Sequence, residues 1–309
     1  MHKILLVGSS NMDLSMNMLR LPEAGETLID DGGVAYVPGG KGANAAIAFK
    51  RLGAEVIFCA KLGADVHGQK LYEFYKSEGL DTSHIKVDRD NPTGLAVVMR
   101  EGDGKNRIVV YPGANNYITP EAVIAAFDSN PDALYLSFEI PFSIAVFAAK
   151  TAAARNIPIF VDAAPANREY PLEELPAIEI FSPNETETLE FTGISPVGME
   201  NSLRAALAMA RRAKAKNIVI KEGARGAFLY DAKRYNVFPS FKVEKVVDTT
   251  AAGDAFTAAM TLEYLRSGDI KSAIIYGNAA GAITVTRAGA ASSVPSFEEV
   301  ESLVLAANN

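Results

Sequence analysis

Cysteine and histidine are scarce in this chain of 309 residues. Its one cysteine is Cys59, and its three histidines, His2, His67 and His84, stand far apart. A single cysteine excludes an intramolecular disulfide and a cysteine-based zinc site, and it is typical of proteins from a reducing compartment. The spacing of the histidines argues against a histidine-rich metal site.

The chain also lacks long apolar runs and an excess of positive charge. No stretch approaches the ~18 apolar residues of a membrane helix, and the first apolar run is shorter than the ~7–15 residues of a secretory signal. Lysine and arginine number 30 against 37 aspartates and glutamates, a net charge of −7. That surface gives no electrostatic reason to hold nucleic acid or an anionic membrane. We therefore expect a cytoplasmic protein whose partners are small molecules.

Short β-branched runs alternate with helical stretches along most of the chain. The composition, 49% apolar and 22% charged, is that of a globular protein. The alternation predicts one α/β domain, 1–309, with a central mostly parallel sheet flanked by helices. The predicted strands are Ile4–Val7, Val56–Lys61, Ala133–Leu136, Ile159–Asp162, Glu179–Ser182 and Ile218–Lys221. The predicted helices are Gly42–Leu52, Gly68–Glu78, Pro120–Phe127, Phe142–Arg155, Asn184–Phe191, Ser202–Ala213, Gly253–Arg266 and Ile270–Arg287.

Two segments, about 13–38 and 93–111, interrupt this alternation. The first contains a period-two pattern that is typical of a strand with one solvated face. The second is typical of a hairpin, with its turn at Gly102-Asp103-Gly104. We expect the two segments to form a small β-sheet lid over the carboxyl ends of the parallel strands, where open α/β sheets bind ligands. Two ordinary surface hairpins are the alternative.

The apolar residues of these two segments also predict self-association. A sheet this small cannot bury both of its faces by itself. Pairing of two lids would cover the apolar surface, so we expect a homodimer formed through the lid. The apolar residues concerned are Leu14, Met16, Met18, Ala96 and Val98.

The strongest chemical signal is the motif VVDTTAAGDAFTAAM, in which three small residues precede a predicted helix. Unencumbered N–H groups of Ala251, Ala252 and Gly253 at a helix start would form an anion hole, which the helix dipole strengthens. Asp254 places a carboxylate beside the bound anion, as phosphoryl transfer to a hydroxyl requires. An N-cap is the alternative role for Asp254, but capping does not account for the small residues before it.

A glycine-rich turn, GGKGAN, stands just before the first predicted helix. Gly39, Gly40 and Gly42 allow the backbone to approach a ligand closely. A phosphate-binding loop of the Walker type needs Ser or Thr after Lys41, and glycine stands there instead. Asn44, one turn into the helix, is therefore expected to bind hydroxyl groups at the mouth of the loop.

Two further polar motifs follow predicted strands. Asn11 and Asp13 lie two apart and face the same side of an extended chain, where an amide and a carboxylate suit vicinal hydroxyls; a closed turn is the alternative. Asn184 and Glu187 share a helical face, where they could hold the waters of Mg²⁺, or form a capping box. A Rossmann fingerprint, a GxSxG elbow and an HExxH motif are all missing, so dehydrogenase, serine hydrolase and zinc protease functions lack support.

Together these motifs resemble the ribokinase family of ATP-dependent sugar kinases, also called the PfkB family, over essentially the whole chain. The two signature regions are Gly39–Gly63 and Asp248–Met260. The motifs SSNMD, PEAGET, PGAN and GAASSVP are similar to those of the ribose-phosphorylating members of the family. The resemblance implies a ribokinase-like fold and transfer of a phosphoryl group from ATP to the 5-hydroxyl of D-ribose, with Mg²⁺ and K⁺ as cofactors.

The resemblance also assigns roles to individual positions. Asp254 would be the catalytic base, next to an anion hole at Ala251, Ala252 and Gly253. The residues assigned to the sugar are Asn11, Asp13, Gly39, Gly40, Lys41, Asn44, Glu139 and Asp254. The residues assigned to the nucleotide are Asn184, Lys221, Gly223, Gly226, Gly253 and Asn278. Glu187 would bind Mg²⁺ through water. The residues assigned to K⁺ are Asp248, Thr250, Thr284, Arg287, Gly289 and Ser293, mainly through backbone carbonyl oxygens together with the Ser293 hydroxyl.

Three residues depart from the family pattern. Phe138 and Ile140 flank Glu139, and Glu222 stands where an apolar or hydroxyl residue is expected. These departures leave open a different substrate within the same family, such as fructose, ketodeoxygluconate or adenosine. A non-catalytic sugar-binding protein is the alternative from another class, and it would have no use for Asp254 beside an anion hole.

Overall fold

The computed structural model of the chain describes residues 2–102 and 106–307. The strands of the described part are β1 (Lys3–Val7), β2 (Asn11–Met18), β3 (Val34–Gly39), β4 (Glu55–Gly63), β5 (Ile85–Asp88), β6 (Gly94–Glu101), β7 (Asn106–Tyr111), β8 (Ala133–Leu136), β9 (Ile159–Asp162), β10 (Ile178–Ser182), β11 (Ala215–Lys221), β12 (Ala227–Tyr230) and β13 (Tyr235–Phe238). Its helices are α1 (Lys41–Arg51), α2 (Val66–Ser77), α3 (Pro120–Phe127), α4 (Phe142–Ala154), α5 (Glu185–Thr192), α6 (Met199–Ala213), α7 (Ala252–Ser267), α8 (Ile270–Thr284) and α9 (Phe297–Ala307).

A nine-stranded sheet in the order β13-β12-β11-β10-β9-β8-β1-β4-β5 forms the centre of the molecule. The strands from β11 to β5 pair in parallel, and β12 and β13 complete one edge in antiparallel pairing. Alternate residues of β1 pack on opposite faces, Ile4 and Leu6 on one and Leu5 and Val7 on the other. Helices α1, α7 and α8 cover the first face, and α3, α4 and α6 cover the second. The predicted fold class, a mostly parallel sheet flanked by helices, is confirmed.

All six predicted central strands are present, because each is an apolar run long enough to be buried on both faces. The elements that were not predicted are β5, β12 and β13, which lie at or next to the edges of the large sheet, and helix α9, which packs against α8. Strand β13 is largely exposed, and β5 has only four residues. Their short or half-polar sequences carry no run that distinguishes them from a loop. The last predicted helix is also shorter than expected, since α8 ends at Thr284 rather than Arg287.

A separate four-stranded sheet, in the order β3-β2-β6-β7, contains the two segments that interrupt the alternation. Strand β2 pairs in parallel with β6, with Asp13 opposite Ala96 and Leu14 opposite Val97. Strands β6 and β7 pair as the expected hairpin, although Asp103 and Gly104 of its predicted turn lie outside the described residues. We refer to these four strands as the small sheet.

The register of the small sheet separates its apolar residues between two faces. Asp13 shares its face with Ala96 and, two residues further along β6, Val98. Leu14 and Met16 lie on the opposite face, with their partners on β3 and β6. The apolar residues that were grouped together in the sequence therefore do not form one surface. The face without Asp13 carries Leu14, Met16, Met18, Val34, Tyr36, Leu95, Val97, Met99, Val109 and Tyr111.

The chain first leaves the large sheet for the small sheet, and returns, near the carboxyl end of β1. Residues after Val7 lead directly into β2, and β3 returns through Gly40 to the start of α1. The backbones meet closely here, since a Cβ atom at Gly42 would lie 2.5 Å from the amide nitrogen of Ser9. Helix α7 packs against α1, so its amino terminus reaches the same point.

Candidate active site

The amino terminus of α7 presents open N–H groups. Helix α7 begins at Ala252, one residue earlier in the anion-hole motif than its predicted start, with Ala251 as N-cap in a left-handed conformation, φ 60°. The N–H of Ala252, which the sequence pattern predicted to be open, instead donates to the carbonyl oxygen of Thr249 at 3.3 Å. Within the described residues, the N–H groups of Gly253 and Asp254 have no acceptor. The first turn therefore offers two donors and the positive end of the helix dipole to an anion.

Asp254 lies within this first turn, and its carboxylate is buried. Its Oδ2 accepts a hydrogen bond from Nδ2 of Asn44 at 3.2 Å, whereas no described residue donates to Oδ1. Burial raises the pKa of Asp254 to about 6, although the nearby positive charge of Lys41 opposes this shift. A buried carboxylate with one free oxygen and a raised pKa is suited to accept a proton.

Behind the amino terminus of α7 lies a buried ion pair. Nζ of Lys221 donates to Oδ1 of Asp162 at 2.6 Å, and it lies 3.5 Å from Oγ1 of Thr257. The other oxygen of Asp162 has no partner among the described residues. A Cβ atom at Gly253 would lie 3.7 Å from Nζ of Lys221, so this predicted nucleotide residue stands beside the anion hole.

Lys41 adds a second positive charge to this region. Burial works to lower the pKa of Lys41, but the carboxylates around it, Asp254 foremost, outweigh burial and raise it above its usual value. Lys41 therefore stays protonated, and its positive charge interacts with the carboxylates of Asp254 and Asp162. Asp162, which belongs to the same cluster, was not predicted as a site residue. Its signal in the sequence is an acidic residue that ends a fully buried parallel strand, β9.

Glu139 organises the opposite end of the site. Its Oε2 accepts hydrogen bonds from Oγ of Ser9 at 2.5 Å, Nδ2 of Asn11 at 3.3 Å and the backbone N–H of Lys41 at 2.9 Å. One carboxylate therefore joins the end of β1, the start of β2 and the start of α1. Three of the residues predicted for the sugar, Asn11, Lys41 and Glu139, are brought together here.

Asn115 is a further organising residue, and its role was not predicted from the sequence. It is fully buried, and its Nδ2 donates to Oδ1 of Asn11 at 2.7 Å, to the carbonyl oxygen of Pro112 at 2.9 Å and to that of Ser10 at 3.3 Å. Its Oδ1 accepts from the N–H of Ser10 at 2.9 Å. Its position in the motif PGAN was the available signal. These bonds fix the orientation of the Asn11 amide.

Asp13 stands apart from this hydrogen-bond network. No described residue donates a hydrogen bond to its carboxylate. Burial raises the pKa of Asp13 to about 7, and Glu139 adds to the shift while Arg100 opposes it. Gly39 is required beside it, because a Cβ atom at that position would lie 2.2 Å from the carboxylate. The free carboxylate is available to hydroxyl groups of a ligand.

The predicted nucleotide segments also adjoin one another. Asn184 and Glu187 form a complete capping box on α5, with the N–H of Asn184 donating to Glu187 at 2.6 Å. The N–H of Lys221 donates to the carbonyl oxygen of Pro183 at 2.8 Å, which places the end of β11 next to that box. The Glu222 carboxylate is bound to α6 instead, where it accepts a hydrogen bond from Oγ of Ser202 at 2.6 Å.

Gly223, Gly226 and Asn278 lie around the turn that follows β11. Gly223 and Gly226 have φ of 56° and 98°, which favour glycine, and a Cβ atom at Gly226 would lie 2.0 Å from the carbonyl oxygen of Phe238. Nδ2 of Asn278 donates to that same oxygen at 3.1 Å and to that of Pro239 at 3.2 Å. The Asn278 amide nitrogen is thus already hydrogen-bonded to the backbone.

The segments predicted to hold a monovalent cation meet at Asp248. Its Oδ1 accepts from the N–H and Oγ1 of Thr250, at 2.9 and 2.6 Å, and its Oδ2 accepts from the N–H of Gly289 at 3.3 Å. Other side chains of this set face elsewhere: Thr284 and Ser293 donate to carbonyl oxygens at 2.8 and 2.6 Å, and Arg287 pairs with a glutamate.

Comparisons with known proteins agree with this geometry. Residues 1–296 match the pfkB family of carbohydrate kinases. A ribokinase of Staphylococcus aureus is 35% identical over 97% of this chain and 98% of its own length, and a deoxyribokinase of Salmonella typhi is 30% identical over 96% of each. The structure of Arabidopsis thaliana ribokinase complexed with ribose and ATP superposes with a TM-score of 0.85 at 30% identity, covering 98% of both chains. No helix in the described residues is long and apolar enough to cross a membrane.

Proposed function

The chain belongs to the pfkB family of carbohydrate kinases, and from this premise we propose that it phosphorylates D-ribose at the 5-hydroxyl with ATP, giving D-ribose 5-phosphate and ADP. The observation that carries the proposal is the unpartnered oxygen of Asp254 beside two open N–H groups of α7. A sugar hydroxyl placed there meets a proton acceptor, and a phosphoryl group placed there meets hydrogen-bond donors.

The mechanism follows from the two ends of the site. Asp13, Asn11 and Glu139 bind sugar hydroxyls, and the acceptor hydroxyl then lies toward Asp254. Oδ1 of Asp254 takes the proton of that hydroxyl as its oxygen attacks the terminal phosphorus of ATP, and the bond from that phosphorus to the bridging oxygen of ADP breaks. The N–H groups of Gly253 and Asp254 stabilise the charge on the transferred group. The hydrogen bond from Asn44 holds the carboxylate in place.

Magnesium fits the nucleotide end of the site through its waters. No group of three or more His, Cys, Asp or Glu side chains in the described residues is arranged to hold a metal directly. Mg²⁺ in kinases keeps several waters and binds phosphates, so one buried carboxylate, Glu187, suffices to orient a water. When bound, the ion would neutralise phosphate charge.

A monovalent cation fits the loop around Asp248. No described residue donates a hydrogen bond to the carbonyl oxygens of Thr250, Arg287 or Gly289, although the Asp248–Gly289 contact brings their segments together. Backbone carbonyls with one carboxylate are the oxygen ligands that a weakly hydrated cation needs, and we assign K⁺ to them. When bound, the ion would supply positive charge to Asp248 and hold the loop before the anion hole.

The second candidate is a closely related sugar substrate. A deoxyribokinase is among the similar proteins, and the free carboxylate of Asp13 can bind hydroxyls of several sugars. Phe138 and Ile140, which depart from the family pattern, are buried in the apolar core beneath the site rather than exposed in it. They therefore give no reason to reject ribose.

A substrate panel tests the proposal. Ribose, deoxyribose, fructose, ketodeoxygluconate and adenosine should be compared at equal concentration with ATP, measuring ADP release and identifying the phosphorylated carbon of the product. We expect ribose to have the highest kcat/KM, with phosphate on carbon 5. A higher kcat/KM for another member of the panel would reassign the substrate. Binding of sugar without ADP release would support the non-catalytic alternative.

We also propose that the small sheet closes over the sugar and forms a homodimer through its other face. The face without Asp13 carries exposed apolar residues, including Val34 and Tyr36. Light scattering at micromolar concentration should give a dimer mass, and Tyr36→Glu should give a monomer. Tyr235→Glu, at an exposed tyrosine on β13, is the control and should stay dimeric. A monomeric unmodified protein would contradict the dimer. The cytoplasmic location remains a prediction.

A further inference from the structure

Arg100 connects the small sheet to the loop that precedes the anion hole. It lies near the end of β6, two residues beyond Val98, on the same face as Asp13. Its Nη2 donates to Oγ1 of Thr250 at 3.2 Å and lies 3.5 Å from Oδ2 of Asp248. In the described part of the chain, no other side chain of the small sheet hydrogen-bonds to residues 248–251.

The partners of Arg100 are themselves joined to the anion hole. The carboxylate of Asp248 already holds the N–H and hydroxyl of Thr250, so the three side chains form one network. Thr250 is followed directly by Ala251, the N-cap of α7, which is held in a left-handed conformation. A shift of Thr250 must therefore move the residue that sets the direction of the first N–H groups of the helix.

A neighbouring arginine shows that this arrangement is not a general property of the small sheet. Arg107, on β7, pairs with Glu101 at 3.6 Å, and its side chain is 62% exposed against 35% for Arg100. The Arg107 pair joins two adjacent strands of the same sheet, whereas the Arg100 contacts span 150 residues of sequence. An exposed pair within one sheet contributes little.

We propose that Arg100 is a positioning residue that latches the small sheet onto the loop Asp248–Ala251, so that closing over the sugar and aligning the anion hole occur together. The proposal rests on the proposed function, because it concerns the order of events in that reaction. Its consequence is that bound sugar strengthens nucleotide binding, since both ligands favour the latched state. The latch would also delay alignment of the anion hole until a sugar is present, which limits hydrolysis of ATP by water.

The test compares Arg100→Ala with the unmodified protein, using the sugar of the panel that the unmodified protein phosphorylates. Calorimetry measures the Kd of ADP with and without saturating sugar, and steady-state assays measure kcat and both KM values. We expect kcat to fall about tenfold, as for the loss of one hydrogen bond to a charged group. We also expect the sugar to lose its effect on the Kd of ADP. Arg100→Lys should recover part of the coupling, and Arg107→Ala should leave every value unchanged.

A double variant distinguishes a positioning role of Arg100 from a general loss of stability. If the contact to Thr250 carries the effect, adding Arg100→Ala to Thr250→Val should lower kcat by less than about twofold, because the partner is already lost. Multiplying effects in the double variant would overturn the proposal, as would unchanged sugar–nucleotide coupling in Arg100→Ala. Failure of the unmodified protein to phosphorylate ribose would instead contradict the proposed substrate. The comparison of Arg100→Ala with the unmodified protein would still be made with the sugar that is phosphorylated.

Discussion

The two ends of the site hold their carboxylates in opposite ways. At the sugar end, Glu139 accepts three hydrogen bonds that join three segments of the chain. At the phosphoryl end, Asp254 has one donor, Asn44, and a buried oxygen with no partner in the described residues. The Oε2 oxygen of Glu139 is satisfied and organises a binding surface, whereas the unsatisfied buried Oδ1 of Asp254 is reactive toward a proton. The difference indicates that the sugar end is built for recognition and the phosphoryl end for chemistry.

Asp13 refines this comparison because it combines features of both ends. It lacks protein donors, like the free oxygen of Asp254, but it is only partly buried and lies on the small sheet. Its pKa is raised mainly by burial, and a neighbouring carboxylate adds to the shift. Ligand hydroxyls can donate the bonds that the protein does not. Asp13 should therefore affect sugar affinity, and Asp254 should affect turnover.

The largest expected effect is at the phosphoryl end. Asp254→Asn removes the proton acceptor but keeps the shape and the contact with Asn44, so kcat should fall about 10²- to 10⁴-fold while sugar binding, measured by calorimetry, is nearly unchanged. Glu263→Gln removes a carboxylate further along the same helix and should keep normal kcat. A near-normal kcat for Asp254→Asn would leave that residue as a helix cap and remove the contrast between the ends.

The next effect is expected from the monovalent cation. Replacing K⁺ by Na⁺ or by a bulky organic cation should lower kcat by roughly 10²-fold, since misalignment of one donor in an anion hole has about that effect. A loop of carbonyl oxygens makes the longer and more numerous contacts that K⁺ prefers. Sugar affinity should change little, because the cation loop borders the phosphoryl end. Equal kcat in all three salts would show that Asp248 has only a structural role, which is to hold Thr250.

At the sugar end, Asp13→Ala should raise the KM for sugar about 10- to 100-fold, with a much smaller change in the KM for ATP. The loss of a charged acceptor for two hydroxyls accounts for this magnitude. Ser15→Ala, on the same face of β2, is the matched control and should keep both KM values. Equal increases for both substrates would point to a disturbed β1–β2 connection instead of a lost sugar contact.

The smallest expected effect is on the pH dependence of activity, in which Asp13 and Asp254 should titrate separately. Both carboxylates act in their ionised form, so activity is lost as pH falls: kcat/KM for sugar should decline below about pH 7, where Asp13 protonates, and more steeply below about pH 6, where Asp254 protonates. Each loss should approach about tenfold per pH unit. Asp13→Asn should remove the upper inflection and keep the lower one. A single inflection shared by both proteins would show that the ends titrate as one unit.

Much of this site follows from local sequence pattern. The run before Asp254 predicts a helix start with open N–H groups, and α7 begins there. The spacing of Asn184 and Glu187 predicts a capping box, and both of its reciprocal bonds are present. Patterns of this kind are readable because their geometry is set within one turn of helix.

Other features could not be read locally. The grouping of Ala96 and Val98 with Leu14 was wrong because strand register, which the sequence alone does not specify, assigns them to opposite faces. Asp162 was missed because its partner Lys221 lies 59 residues away. The role of Asn115 depends on hydrogen bonds to Asn11 and Ser10, which precede it in the sequence by 104 and 105 positions. Each of these contacts arises where separate strands end side by side.

The sequence by itself determined the parallel sheet, the family and the motifs that carry the chemistry, because buried runs, small residues and caps act over short distances. Tertiary structure decided how those motifs cooperate. It brought Asn44 to Asp254 across 210 residues, and it left the other oxygen of Asp254 without a partner in the described residues. It also placed Arg100 against Thr250. Charge in a buried site depends on which groups surround it, and only the packing of distant segments sets those surroundings.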